Sequence, residues 1–282
     1  MHLTIVHDTQ YVYDEAASLI VQALRMWPAP TRGQTANSWR VEVDGRVLQP
    51  TCVDGFGNPV ATHTVDREVE TVRISVRGQV STQDVQGVHG EQRETLPPLF
   101  FLAATDLTAP TPDISRLARD VAGEGSDLER LHRLSGGVRD RVDYRTESTH
   151  AATTAAEAFC AGAGVCQDHA HVLISAARSL GFPARYVSGY LCPMQLGTPA
   201  ASHAWAEIFI EHLGWVGFDA SNRQAPDERY VRIAAGRDYR DAAPVRGVRL
   251  GGIAETLKVE VDIVETVQRS TQSQGTQSQG TQ

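Results

Sequence analysis

Up to about residue 105 the apolar positions of this chain alternate with polar ones in short runs. From about residue 113 to 180 they recur every three or four positions. The first regime predicts strands. Leu3 to Tyr13 is rich in β-branched and aromatic residues, Ser38 to Val43 alternates into an Asp44-Gly45 turn, and Glu70 to Val76 alternates again. Asp54-Gly55 and Gly57-Asn58-Pro59 are further turn signals. Short strands with this punctuation predict a small β-sandwich-like or barrel-like domain over residues 1–105.

The second regime predicts helices. Beyond a link containing Pro110 and Pro112, Ile114, Leu117, Ala118 and Val121 mark a first helix. Ser126-Asp-Leu-Glu129 is a capping box opening a second, with Leu128, Leu131, Leu134, Val138 and Val142 on one face and Gly136-Gly137 weakening its middle. Thr154-Ala-Ala-Glu157 opens a short third helix that ends at Gly162. The fourth starts at Cys166 and carries Val172, Leu173, Ala176, Ala177 and Leu180 as one stripe, until Gly181 stops it and Pro183 prevents its resumption.

The pattern then returns to strands: Ala184 to Leu191, a loop from Cys192 to Ala200, and Ala204 to Ile210 with Ala204, Ala206, Ile208 and Ile210 on one side. A turn at 211–214 leads to the return strand Trp215 to Asp219. Residues 226–249 read as loop-rich, and Leu257 to Val264 alternates as a closing strand. The tract QRSTQSQGTQSQGTQ at 268–282 cannot bury a core and is expected to be disordered. The expected organisation is a β-rich domain at 1–105, a core with its closing strand at 106–267, and the tail at 268–282.

Composition narrows the function classes. The 282 residues suffice for two domains, and 41% hydrophobic with 21% charged residues is ordinary for a water-soluble protein. A net charge of −8 disfavours a nucleic-acid-binding surface. No run approaches membrane-spanning length, and the first residues lack a basic stretch followed by an apolar one, so a cytoplasmic location and no membrane partner are expected. The cysteines at 52, 160, 166 and 192 show no metal-ligand spacing, and no metal or other cofactor is expected.

The candidate chemistry sits at Gly164-Val-Cys-Gln-Asp-His-Ala-His171. Cys166 lies in the first turn of its helix, where unpaired N–H groups and the helix dipole favour a thiolate. Gly162 and Gly164 let the backbone turn tightly and approach a substrate. Such a cysteine is either a small residue in a core helix or a nucleophile, and position alone does not decide. A hairpin centred near 211–213 brings its open ends together, setting His203 opposite a residue between 219 and 223. Asp219 is then within reach of the imidazole. Thiol, histidine and orienting aspartate are what a thiol acyl-transfer enzyme requires.

From Tyr144 to Gly247 the sequence resembles the transglutaminase-like superfamily of cysteine proteins. The resemblance is carried by Thr153-Thr-Ala-Ala-Glu157, Gly164-Val-Cys-Gln-Asp168, Gly181-Phe-Pro-Ala-Arg-Tyr-Val-Ser-Gly-Tyr190, Ser202-His-Ala-Trp-Ala-Glu207 and Gly214-Trp-Val-Gly-Phe-Asp219. Leu3 to Tyr13, Asp54-Gly-Phe-Gly-Asn58, Gly236-Arg-Asp-Tyr239 and Ala243-Pro-Val-Arg-Gly247 are similar to bacterial members with a β-rich N-terminal domain. The resemblance implies an α+β fold, a papain-like transglutaminase core joined to the β-sandwich-like domain. It implies Cys166 as nucleophile, His203 as base and Asp219 as orienting acid. His169, where an aromatic apolar residue is usual, and Asp219-Ala-Ser-Asn222, where proline and threonine are usual, depart from the pattern.

The expected function is a cysteine peptidase or amidase that forms a thioester on Cys166 and acts on a peptide or protein substrate. Transfer to an amine, as in a protein-glutamine γ-glutamyltransferase, and a catalytically silent binding module are the alternatives. The Cys166 backbone N–H is the expected oxyanion donor. Gln167 and Trp205 are further substrate or oxyanion candidates, each with an ordinary surface or core role as its other reading. Asp168, His169 and His171 are expected to pack or support rather than bind metal, and Cys52, Cys160 and Cys192 to be buried small residues. The histidines at 2, 7, 63 and 89 read as strand or surface residues. Oligomeric state is not legible.

Overall fold

In the computed structural model, which describes residues 1–90, 95–194, 201–252 and 254–266, the alternating N-terminal half forms two sheets. Its strands are β1 (His2–Ala17), β2 (Leu19–Leu24), β3 (Gln34–Val43), β4 (Arg46–Leu48), β5 (Cys52–Val53), β6 (Pro59–Val65), β7 (Val69–Thr82) and β8 (Val88–Gly90). The helical stretch gives α1 (Pro112–Ala122), α2 (Asp127–Arg141), β9 (Asp143–Tyr144), α3 (Ala155–Ala161), β10 (Ala163–Gly164) and α4 (Cys166–Ser179). After it come β11 (Ala184–Leu191), β12 (Ala201–Ile210), β13 (Gly214–Phe218), β14 (Tyr230–Gly236), α5 (Tyr239–Ala242), β15 (Val245–Leu250) and β16 (Glu255–Glu265).

The two N-terminal sheets run β16-β1-β7-β3-β4 and β15-β2-β6-β5. They enclose Tyr13, Ile20, Leu24, Val41, Ile74 and their neighbours. Asp44 and Gly45 both take positive φ, 49° and 78°, in the tight turn joining β3 to β4. The core sheet runs β14-β11-β12-β13-β8, all neighbours antiparallel. Against it lies α4, flanked by α1, α2 and α3 and buried on every side from Asp168 to Arg178. Its apolar stripe is therefore one side of a helix covered all round. The inward residues of β12, Ala204, Ala206, Ile208 and Ile210, share the core with Leu173, Ile174 and Ala177.

Three expectations need correction. Leu257 to Val264 does form a strand, but β16 pairs along β1 in the N-terminal sandwich instead of closing the core. Residues 226–249 are not mainly loop: they hold β14, α5 and β15, and β15 pairs with β2. In the opposite sense, β8 leaves the N-terminal sheets and edges the core sheet beside β13. The pair Gly136-Gly137, expected to weaken α2, lies inside a helix continuous to Arg141; a Cβ at Gly137 would stand 2.6 Å from Val121, so the glycine lets α1 and α2 approach. The tail expected to be disordered, 268–282, lies outside the described residues, as does most of the 192–200 loop.

The two halves are tied at the free edge of β14. Gln34 donates to the Arg232 carbonyl and accepts from the Arg232 N–H, each at 2.8 Å. Asn58 does the same with Ala235, at 2.7 and 2.8 Å. Two side-chain amides thus stand in for a neighbouring strand.

Candidate active site

Cys166 is the first residue of α4 and opens into a cleft of about 390 Å³ that His203 also lines. Asp168, in the same helical turn, accepts from the Val165 N–H at 2.8 Å and from the Thr149 hydroxyl at 2.6 Å, which pins the helix start. Gly164 serves that cap: a Cβ there would stand 2.6 Å from the Asp168 side chain. The structure thus shows a close approach to a neighbouring side chain at this glycine. Gly162 takes φ +67° as the left-handed end of α3.

The hairpin brings its ends together. The ladder of β12 with β13 closes at Ala206 opposite Phe218, and the chain then folds into a bridge between Asp219 and Gln224. Asp219 is fully buried and its Oδ2 accepts from His203 Nε2 at 2.7 Å. The same oxygen accepts from Asn222 Nδ2 and the Tyr230 hydroxyl, each at 2.7 Å, and Oδ1 accepts from the Asn222 N–H. The departure at Asp219-Ala-Ser-Asn222 therefore supplies donors to the carboxylate. Gln224 donates to the Tyr230 oxygen at 2.8 Å, which leaves that hydroxyl's proton for Asp219.

His203 and Cys166 line the same cleft; with Nε2 committed to Asp219, Nδ1 is the nitrogen left to meet the sulfur. Burial works against the charged ring, but its hydrogen bond to Asp219, with the proximity of Cys166 and the charges of both, outweighs it and pushes the His203 pKa up to about 10. Asp219 moves the other way. Burial opposes its charge, and the hydrogen bond and charge of His203, with Asn222 and Tyr230, hold it below the usual carboxylate value.

Trp205 does not line the cleft. It is 1% exposed, stacks on His203 with ring centroids 6.3 Å apart, and meets Tyr230 edge-on at 5.4 Å. It braces the imidazole from behind. Gln167 does line the cleft, with its amide donating to the Ala151 carbonyl at 3.2 Å. His169 contacts the Val165 and Val142 carbonyls and stacks on Tyr144, while His171 accepts from the Tyr239 N–H at 3.1 Å. Among the described residues no three His, Cys, Asp or Glu side chains form a metal-binding group. Cys52 and Cys160 are exposed, contrary to expectation; Cys192 is buried.

Residues the sequence pattern did not single out complete the surroundings. Asn222 and Tyr230 hold the carboxylate, Gln224 orients the Tyr230 hydroxyl, and Tyr144, Tyr186 and Tyr239 line the cleft. His7 and Thr9 of β1 reach it from the N-terminal sandwich. Their signal was present: a polar pair interrupting the stripe Leu3, Ile5, Tyr11, Tyr13.

Comparison with known proteins bears on the family and the fold. Residues 115–220 match the transglutaminase-like superfamily, and residues 3–81 match the bacterial transglutaminase-like N-terminal region. The chain is a member of the transglutaminase-like superfamily. Its fold is that of a transglutaminase-like, papain-like cysteine protein. The solved structure of a candidate cysteine protease from Cytophaga hutchinsonii is similar at a TM-score of 0.73 and 25% identity, covering 95% of this chain and 92% of its own. An uncharacterized protein of Mycobacterium leprae is 29% identical over 276 residues, 93% of this chain and 98% of its own. One from Mycobacterium tuberculosis is 28% identical over 288 residues, 92% and 91% of the two chains. No helix of this transglutaminase-like protein, among the described residues, is long and apolar enough to cross a membrane.

Proposed function

We propose that the protein is a cysteine-nucleophile hydrolase that cleaves an amide or peptide bond in a peptide or protein substrate through Cys166, His203 and Asp219. The observation that carries this reading is the imidazole held by buried Asp219 at 2.7 Å in the same cleft as Cys166 at its helix start. A buried carboxylate, a histidine that retains its proton and a thiol at a helix start are the parts that thiol acyl transfer uses.

In the acylation step the sulfur attacks the carbonyl carbon, a C–S bond forms, and the carbonyl electrons move to oxygen. The Cys166 N–H at the helix start donates to that oxyanion. Collapse breaks the C–N bond, and His203 gives its proton to the departing amine. Water then attacks the thioester, losing a proton to His203, and the C–S bond breaks to release the acid and restore the pair. Asp219, held by Asn222 and Tyr230, keeps the ring in one orientation throughout.

The test is alkylation by iodoacetamide, read by intact mass and peptide mapping, on wild type and His203→Ala. Cys166 is expected to label ahead of the exposed Cys52 and Cys160 at about pH 6, and roughly tenfold more slowly in the variant. Labelling of Cys166 no faster than those two thiols, and indifferent to His203, would overturn the reading. Ester hydrolysis with and without an added primary amine then separates release to water from transfer to the amine.

A further inference from the structure

The inward face of β1 reads Leu3, Ile5, His7, Thr9, Tyr11 and Tyr13. Leu3 and Ile5 pack into the core under the helices, and Tyr13 into the sandwich. His7 and Thr9, each 5% exposed, interrupt the apolar stripe where the strand borders the catalytic cleft. β16 extends that wall: its register sets Val261 beside His7, Val259 beside Thr9 and Leu257 beside Tyr11.

On the same face of β16 Ile263 is buried, but Val259 and Leu257 are 46% and 52% exposed, and both line the cleft. The apolar stripe of this strand therefore runs out of the core and onto the wall facing Cys166. Uncovered apolar side chains continuous with a nucleophile's cleft form a seat for an apolar group.

Apart from His203 and Cys166 themselves, the described lining residues carry no charge to meet an ion. Their polar groups are hydroxyls and rings such as Tyr11, Tyr144, Tyr186 and Ser188, and no Asp, Glu, Lys or Arg stands among the described lining residues. Both nitrogens of His7 are taken, by the Tyr190 hydroxyl at 2.7 Å and the Thr9 hydroxyl at 2.8 Å. Burial lowers the His7 pKa to about 4, so its ring is neutral near neutral pH. A charged substrate group seated against the wall formed by β1 and β16 would lose water and find no counter-ion among the residues of that wall.

We propose that the N-terminal unit builds one wall of the acyl-side pocket, and that Thr9, Tyr11, Leu257 and Val259 select substrates whose group beside the scissile carbonyl is uncharged. This rests on the hydrolase reading above. It gives the N-terminal sandwich a part in specificity and not only in support.

The test uses the full chain and four probes, the 4-nitrophenyl esters of N-acetyl norleucine, glutamine, glutamate and lysine. The wild type is expected to turn over the two neutral esters with kcat/KM about tenfold or more above the two charged ones. Val259→Glu is expected to raise the lysine-to-glutamate ratio about tenfold, and Leu257→Lys to lower it by a similar factor. Opposite shifts from opposite charges cannot come from misfolding. Equal turnover of all four by the wild type, or ratios that ignore the charge placed at 259 and 257, would overturn this inference alone. Turnover of none would overturn the hydrolase reading and this inference with it.

Discussion

The Tyr230 hydroxyl donates to the same oxygen of Asp219 that accepts from His203, both at 2.7 Å. Tyr230 lies on β14, a strand two removed from the hairpin that carries His203 and Asp219. Because Gln224 donates to the tyrosine oxygen, the hydroxyl proton is aimed at the carboxylate and the chain of donors has one direction. Tyr230→Phe removes that donor while keeping the ring against Trp205. A hydrogen bond to a buried charged group is worth about 1.5–3 kcal/mol, so kcat/KM is expected to fall about tenfold or more. The pH profile separates this from simple destabilisation. With Asp219 less well held, the limb controlled by His203 should shift, and a profile of unchanged shape would leave Tyr230 a packing residue.

Asn58 pairs with Ala235 as Gln34 pairs with Arg232, in both hydrogen-bonding directions. Asn58→Ala strands one buried backbone donor and one acceptor on β14. The expected loss is roughly 2–4 kcal/mol in the denaturant midpoint, with no direct contact to the cleft disturbed. Hydrogen exchange should show the opening concentrated in β14. Loss spread evenly over the chain would mean that the amide pairing is incidental to docking.

Glu207 sits fully buried between Arg185 and Arg232, at 2.6 and 2.9 Å, with His89 3.7 Å away. Burial opposes its charge, but the two guanidinium groups outweigh it and keep the carboxyl well below the usual range. Glu207→Gln keeps the shape and leaves two buried cations without their anion. The expected cost is about 3–5 kcal/mol, measured by chemical denaturation. A variant as stable as the wild type would show that the cluster is hydrated or rearranges.

The meeting of His203 with Asp219 could be read from local pattern, while the role of Cys166 rests on the family resemblance. A hairpin of countable length brings imidazole and carboxylate within reach without long-range knowledge. What escaped depends on contacts distant in sequence. β14 is buried on both faces and so shows no alternation, and its Arg232 reads as a surface charge until Glu207 is placed beside it. β2 carries Gln22 in an apolar run too short to tell strand from helix. The alternation of 257–264 announced a strand but not its partner, since nothing in period two distinguishes the edge of one sheet from another. His7 and Thr9 looked like faults in a stripe; only the fold shows that the cleft opens there.

The buried histidines set opposite limbs of the stability profile. His171 accepts from the Tyr239 N–H; burial lowers its pKa to about 3, helped by the charge of Arg178. Burial likewise lowers that of His7 to about 4. Below the unfolded value of 6.5 the unfolded chain therefore binds protons that the folded chain refuses, and stability falls as pH drops toward 4. His203 has the reverse sign. Its pKa is raised to about 10, so its contribution is complete below 6.5 and is lost as pH climbs toward 10. Thermal denaturation is expected to show a maximum near pH 6.5 with a decline on each side. His171→Gln, which keeps an acceptor for the Tyr239 N–H, should flatten the acid limb, and His203→Gln the alkaline one. Should the acid limb keep its slope in His171→Gln, protonation of this ring is not what destabilises the fold, and the carboxylates held below their usual range, Asp219 and Glu207, become its source.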